Sequence, residues 1–328
     1  MKERIISLLK ENENNFISGE KISESLGVTR AAVWKYIKTL KEEGYEIESV
    51  SRKGYRLISS PDLLTYEELS SILNNKIMGR NIIYLDSVDS TNTYAKELAT
   101  KGAEEGTVVI SEEQTSGRGR LGREWMSPKY KGIWMSIILR PDIEPMDVPQ
   151  ITQIAAAAVS KALRSLGIKA YIKWPNDIIL NYKKVCGILT EMSGEINKVN
   201  YVIVGIGINV NIEEEEFPEE VKNIATSLKI EQGVSIERKK LAARILNNFE
   251  ELYKEIIMEN SIKNSIEICR KYSILIDKEV KIINRGNETI AKAIGLSEDG
   301  KLIVKYKDGK IDEIISGEVS IRGINGYL

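Results

Sequence analysis

Gln114-Thr115-Ser116-Gly117-Arg118-Gly119-Arg120-Leu121-Gly122-Arg123 interleaves three glycines with three arginines. Glycine admits positive φ and lets the backbone come close to a ligand. Arginine supplies a fixed charge and a planar fork of donors. The alternation looks like a dinucleotide fingerprint but lacks the strand-to-helix setting that such a fingerprint requires. An arginine-lined flap over a phosphate or carboxylate fits better. The ordinary alternative is a solvated basic loop, which has no need of regular glycine spacing.

Outward from the loop, residues 61–269 read as one large domain. Extended runs are expected at Ile82–Asp86, Thr107–Glu112, Ile133–Arg140, Ala170–Lys173, Asp177–Leu180, Cys186–Met192 and Tyr201–Val210. Helices are expected at Glu67–Leu73, Asn92–Thr100, Pro149–Leu166 and Arg238–Glu259. Strands in hairpin-like order with helices between them predict a mixed α+β sheet.

Three further motifs lie in this domain. Ser90-Thr91-Asn92 follows the first strand and reads either as a helix cap or as a set of hydrogen-bonding groups for a polar ligand head. The Gln114 amide can donate and accept there. Lys173-Trp174-Pro175-Asn176-Asp177 packs unlike side chains between two apolar runs, as an ion-paired turn or as part of a site, and Lys184 is a further cation candidate. Gly205-Ile206-Gly207-Ile208-Asn209-Val210-Asn211 sets glycines inside an apolar strand, where they weaken a sheet and mark a close approach. Asn209 and Asn211 are expected on one face, and asparagine suits the N6/N7 edge of adenine.

Residues 1–60 read as helix, helix-turn-helix and a basic two-stranded wing, with Ser59-Ser60-Pro61-Asp62 as linker. Ser18 and Thr29 are candidate N-caps, and Val33, Ile37 and Leu40 share one helical face. This segment has eleven basic and nine acidic residues, a net +2. Thr29, Arg30, Lys35 and Lys38 of the third helix, with Arg52, Lys53 and Arg56 of the wing, are the candidate DNA contacts. The plainer alternative is a protein-interaction module with a solvated charged face. Residues 270–328 carry short β runs with Asp299-Gly300 and Asp308-Gly309 as hairpin turns, which predicts a small β-barrel that needs support from its neighbour.

Composition limits the chemistry. The 328 residues carry a net charge of −1, so any DNA contact is local. There is no histidine, which excludes Ser-His-Asp catalysis and histidine-ligated metals. The two cysteines, Cys186 and Cys269, have no Cys-x-x-Cys spacing, which fits a reducing cytosol and gives no hint of a zinc site; Cys186 reads better as a buried strand residue than as a nucleophile. No stretch has the length of a membrane span or signal peptide, so a cytoplasmic chain without membrane contact is expected.

Taken in order along the chain, the winged helix, Ser90-Thr91-Asn92, the Gly-Arg-Gly-Arg loop, Lys-Trp-Pro-Asn-Asp, Lys184 with Gly187-Ile188-Leu189, Gly-x-Gly-x-Asn and Ser316-Gly317-Glu318-Val319-Ser320-Ile321-Arg322 resemble the biotin protein ligases. More narrowly, they resemble the bifunctional class that doubles as biotin operon repressor. The resemblance implies a winged helix-turn-helix at 1–60, a mixed α/β catalytic domain of the biotin/lipoate ligase type at 61–269 and an SH3-like barrel at 270–328. It implies that biotin and Mg²⁺-bound ATP give biotinyl-5′-adenylate. A lysine of the biotin carboxyl carrier protein of acetyl-CoA carboxylase, or of a similar biotin enzyme, then takes the biotinyl group. Ser90, Thr91 and Gln114 are implied to meet the ureido ring, with Asn92, Gly117 and Gly187 in the same site. Arg118, Gly119 and Arg120 are implied to wrap the valeryl chain and adenylate. Lys184 approaches the reacting junction, Asn209 meets adenine and Arg322 reaches toward the nucleotide. Lys173 joins the cationic catalytic group, and Asp177 is the candidate to orient or deprotonate the incoming lysine. A ligand-promoted homodimer on a palindromic operator is also implied. Leu121 departs from the family pattern, which carries another basic residue there. A ligase whose winged helix no longer binds DNA, and a ligand-sensing repressor without catalysis, are the alternatives. A lipoate ligase shares the catalytic fold, but the fused winged helix and the arginine-glycine loop favour biotin.

Overall fold

The computed structural model describes residues 1–12, 14–284, 286–316 and 319–323. It opens with α1 (Lys2–Glu11), α2 (Gly19–Leu26) and α3 (Arg30–Glu42), followed by the hairpin β1 (Glu46–Val50) and β2 (Gly54–Ser59). The expected caps are present: the Ser18 hydroxyl accepts from Lys21 N and the Thr29 hydroxyl from Ala32 N. Ile5, Leu9, Ile22, Val33, Ile37 and Leu40 close this domain's own core.

The central domain comprises α4 (Tyr66–Leu69), β3 (Ile82–Leu85), α5 (Thr91–Thr100), β4 (Val108–Ser111), β5 (Gly132–Leu139), α6 (Val148–Ser165), β6 (Tyr171–Lys173), β7 (Asp177–Leu180), β8 (Lys183–Glu195), β9 (Lys198–Asn209), α7 (Leu228–Gln232), α8 (Arg238–Glu259) and α9 (Lys263–Lys271). Among the described residues seven strands form one sheet, in the order β3-β4-β5-β9-β8-β7-β6. β3 and β4 are parallel, and the other pairs are antiparallel. Val202, Val204, Ile206 and Ile208 of β9 join the core that includes residues of α6 and α8.

The helix expected over Glu67–Leu73 stops at Leu69. Turn bonds carry on from it, with Ile72 N and Leu73 N both donating to the Leu69 carbonyl. Beyond them α8 takes over: Asn247 accepts from Asn74 N, and the Glu250 carboxylate accepts from the N–H groups of Lys76, Ile77 and Met78. β8 and β9 run past the expected ends because backbone pairing continues to Glu195↔Lys198, where the polar sequence leaves no hydrophobic period to read. No expectation covered α7 or α9, both short.

After α9 come β10 (Glu279–Asn284), β11 (Asn287–Leu296), β12 (Leu302–Lys305), β13 (Ile311–Ile314) and β14 (Val319–Gly323). Among the described residues these form an antiparallel sheet in the order β13-β12-β11-β10-β14. Gly300 and Gly309 take φ of 83° and 89° in the expected turns. Val280, Ala293, Leu302 and Val304 merge into the core of the central domain, which gives this small sheet the support its size demands. Gly317 and Glu318 of the C-terminal motif lie outside the described residues. Among the described residues, no helix is long and apolar enough to cross a membrane.

Residues 59–62, read as the linker, carry polar contacts of their own. Ser60 and Asp62 are built into a charged junction. Glu68, fully buried, accepts from Tyr45 Oη at 2.7 Å and Ser60 Oγ at 2.8 Å. Its carboxylate also pairs with Lys10 at 3.0 Å and Lys239 at 2.8 Å. Asp62 accepts from the backbone N–H groups of Arg238 and Lys239 at the start of α8. A buried carboxylate thus holds the winged helix, through Lys10 and Tyr45, against the central domain, through Lys239. Burial pushes the Glu68 carboxyl up, but Lys239, Tyr45 and Lys10 outweigh it and hold it below its usual range.

Glu68→Gln leaves the buried Lys239 and the half-buried Lys10 without their shared counter-charge, which costs roughly 3 kcal/mol. The variant should melt well below the parent at pH 7 and be cleaved faster by protease near residues 59–62. A depressed carboxyl stabilises the fold above its unfolded pKa and loses that contribution as pH falls through the folded value. The gap between the two proteins should therefore close below about pH 4.

Candidate active site

The cleft floor follows from strand register. Directly opposed residues on antiparallel strands share a face. One row runs Asp177–Gly187–Gly207–Trp134 across β7, β8, β9 and β5, and the next runs Leu189–Gly205–Ser136. Val202, Val204, Ile206 and Ile208 of β9 face the main core. On the opposite face Ile203 packs with Val109, Ile138 and the Ala95 and Ala99 of α5, which leaves the stretch from Gly205 to Asn209 to hold a site. Its glycines serve close packing. A Cβ on Gly205 would lie 2.3 Å from Asn92 Oδ1, and one on Gly207 would lie 2.5 Å from Trp125 Nε1. The missing side chains make room for one carboxamide and one indole.

A chain of hydrogen bonds lines one end. Ser90 stands at the N-cap of α5 but makes no side-chain cap bond, which removes the helix-cap reading for that residue. The backbone N–H and hydroxyl of Thr91 both reach Gln114 Oε1, at 2.9 and 3.0 Å. Gln114 Nε2 donates to Ser127 Oγ at 2.8 Å. Ser136 Oγ lies 2.6 Å from Asn92 Oδ1 and 2.8 Å from Thr91 Oγ1. Its single proton goes to Asn92, because an amide oxygen cannot donate, so the Thr91 hydroxyl donates to Ser136 while Gln114 Oε1 keeps the Thr91 backbone N–H. Asn92 Nδ2 donates to Glu191 Oε2 at 2.7 Å, and Lys96 pairs with the same carboxylate at 2.5 Å. Seven side chains therefore fix one another before any ligand arrives.

The arginine loop crosses the cleft. Leu121 takes φ of 58° and Gly122 of 72°, which turns the chain sharply after Arg120. Arg120 donates to Asn176 Oδ1 at 3.2 Å and to the Ser316 carbonyl at 2.5 Å, joining the loop to the Lys-Trp-Pro-Asn-Asp turn and to the C-terminal sheet. Asn176 in turn donates to the Ile188 carbonyl at 2.8 Å, and Trp174 Nε1 to the Gly300 carbonyl at 2.9 Å. Arg118 is exposed at the mouth, on a strand-like bridge to Glu124.

The charged centre lies beneath the loop. Lys184 pairs with Asp177 at 2.6 Å, and its ammonium lies 5.1 Å from the Trp125 ring centroid. Lys173 is 3% exposed. Burial pulls its pKa down to about 7; Asp177 opposes the shift, while Lys184, Arg322 and Arg123 add to it. Burial also lowers Arg120, against the pull of Asp177. Cys186 is buried on the core side and its thiol is pushed up by that burial, so it is no nucleophile.

Ser90, Thr91, Asn92, Gln114, Gly117, Arg118, Gly119 and Arg120 line a single cleft of about 1560 Å³. Lys173, Asp177, Lys184, Gly187, Asn209 and Arg322 line the same cleft. Asn211 does not share the face of Asn209. β9 ends at Asn209, and the Asn211 carboxamide instead clamps the backbone of Ile236 at 2.9 Å on both sides. Asn209 Nδ2 donates to the Thr226 carbonyl at 3.0 Å.

Sequence reasoning missed the far wall, where Trp125, Phe217, Val221 and Ala225 pack with Trp134 and Ile212. Trp125 Nε1 is buried there without an acceptor. One signal for it was available, Phe217 set among glutamates; a lone Ser136 in an apolar strand was a signal for the hydrogen-bonded end. Far from the cleft, Thr29, Arg30, Lys35, Lys38, Arg52 and Lys53 are all exposed on α3 and the wing. Arg56 is half-buried and paired with Glu48 at 2.5 Å.

The biotin/lipoate A/B protein ligase family matches residues 84–209, an HTH domain residues 2–56, and the biotin protein ligase C-terminal domain residues 275–322. The bifunctional ligase/repressor BirA of Bacillus subtilis is 42% identical, covering 98% of both chains. That of Escherichia coli is 31% identical over 97% of this chain and 96% of its own. Among solved structures, the biotin protein ligase of Aquifex aeolicus in complex with biotin and ATP superposes with a TM-score of 0.65 at 35% identity, covering 74% of this chain and 99% of that one.

With a folded pKa near 7 and an unfolded value of about 10.4, Lys173 makes the unfolded chain bind more protons between those limits. Stability should therefore rise with pH across that window. Urea unfolding from pH 7 to 9 should show this slope in the parent and a shallower one in Lys173→Met; equal slopes would count against a buried, readily neutralised lysine.

Proposed function

This chain belongs to the bifunctional ligase/repressor BirA family of biotin protein ligases, and from that membership we propose that its cleft makes biotinyl-5′-adenylate from biotin and ATP, passes the biotinyl group to a carrier lysine, and signals its loading to the winged helix. One observation carries the reading. Motifs from Ser90 to Arg322, spread over most of the chain, converge on one cleft.

In this reading the Ser90 hydroxyl, with Thr91 and Gln114, meets the polar ureido ring. The bonds between Thr91 and Gln114 orient those two beforehand, so little of their ordering is left to binding. Arg118, Gly119 and Arg120 close over the valeryl chain and the adenylate. When the biotin carboxylate meets the α-phosphate two anions come together, and Lys184, Arg120 and Lys173 offset their repulsion. The carboxylate is already ionised near neutral pH, so histidine is not needed. Asn209 has Nδ2 committed to Thr226, which leaves Oδ1 for the adenine amine. The unsatisfied Trp125 indole N–H supports an acceptor on a ligand at that wall. Among the described residues no group of three His, Cys, Asp or Glu is placed to hold a metal, so Mg²⁺ is taken to enter as Mg–ATP.

In the second step the attacking lysine must lose a proton, and Asp177, which pairs with Lys184, is our candidate to orient or accept it. The acceptor is the biotin carboxyl carrier protein of acetyl-CoA carboxylase or a similar cytoplasmic biotin enzyme. Residues 190–195 of β8 extend past its pairing with β7, which supports a homodimer formed by joining sheet edges. Two winged helices would then span a palindromic operator.

Incubation with biotin, Mg–ATP and an apo carrier domain should add one biotinyl mass to that domain; no mass change would end the ligase reading for this cleft. Arg120→Gly should loosen the flap and release adenylate, raising biotinylation of bystander lysines above the parent's, as read by mass spectrometry. Gel-shift on the promoter of the biotin genes should strengthen when biotin and ATP are added together. Equal binding with and without them would leave a ligase whose winged helix does not report its ligand.

A further inference from the structure

Val33, Ile37 and Leu40 turn the inner face of α3 to the core, and the outer face carries a residue that no core needs. Trp34 is 60% exposed, in the middle of that face. Single exposed apolar residues are common on proteins. The surroundings of this one are unusual. Residues four apart stack along a helix, so Arg30, Trp34 and Lys38 form one row, with Ala31 and Lys35 beside it. All five are exposed. The Lys38 ammonium lies 6.0 Å from the Trp34 ring centroid. The wing adds the exposed Arg52 and Lys53 on the same domain.

Cations of this kind suit phosphates, but an indole does not. On a helix docked in a major groove, flanking lysines and arginines take the backbone and the central position meets base edges. The apolar group among those edges is the thymine C5-methyl. We propose that Trp34, with Ala31 beside it, reads thymine methyl groups in duplex DNA, making it the sequence-reading residue between phosphate-holding cations. The proposal rests on the winged helix binding DNA and adds what that helix recognises.

The test begins with selection from a randomised duplex pool by the full-length protein in the presence of biotin and Mg–ATP. The parent should enrich a sequence with thymine at a fixed position in each half-site. Replacing that thymine by deoxyuridine removes a methyl group and nothing else, and should weaken the parent about fourfold per half-site. Trp34→Ala should bind the thymine duplex more weakly and be indifferent to the uracil exchange, with unchanged melting because the side chain is solvated. Lys35→Ala should instead weaken all duplexes alike and lower the salt slope by about one. A uracil penalty that survives in Trp34→Ala, or no penalty in the parent, would overturn the assignment while leaving DNA binding intact. If the parent enriches no sequence, the DNA-binding reading falls and this proposal with it.

Discussion

The pairing of β9 with β5 and β8 is the constraint on which the site depends. It fixes which residues of each strand face α6 and α8 and which face the cleft. Ile206 and Ile208 are held in the core, so Gly205, Gly207 and Asn209 must face the other way. A one-residue slip would exchange the two sets, burying glycine and exposing isoleucine. The register is therefore held by hydrophobic burial, and the site inherits its geometry from it.

Charge then joins what register has laid out. Arg120 reaches Asn176 and the Ser316 carbonyl, so the loop, the Lys-Trp-Pro-Asn-Asp turn and the C-terminal sheet meet at one guanidinium. A second junction, around Glu68 and Lys239, ties the winged helix to the start of α8. Arg238, next to Lys239, pairs with the buried Glu112 at 2.5 Å and donates to the Gly132 carbonyl at 3.1 Å. Glu112 precedes Gln114 by two residues, and Gly132 lies opposite Asn209. Polar contacts thus run from the winged helix through the start of α8 to Glu112 and Gly132, next to the stretches that carry Gln114 and Asn209.

The family's biotin–adenylate chemistry makes sense of a site without histidine. Positioned cations and preformed hydrogen bonds suit a reaction between two anions, where bringing them together is the main obstacle. Lys173 is the exception to fixed charge, since burial pulls its pKa down to about 7.

The sequence by itself determined the domain order, the helix caps at Ser18 and Thr29, the hairpin turns at Gly300 and Gly309, and the motifs that line the cleft. Each is a local matter: a side chain bonding its own turn, a glycine at positive φ, or a short string of residues with one chemical character. Only the tertiary structure decided that Glu250 gathers the backbone of Lys76, Ile77 and Met78, that Asn92 and Trp125 fill the space above Gly205 and Gly207, that Asn211 clamps Ile236, and that Ser60 and Asp62 join a charged junction. In these cases the partner lies far away in the chain. Periodicity and spacing report which face a residue presents, and folding alone brings to that face the group it meets.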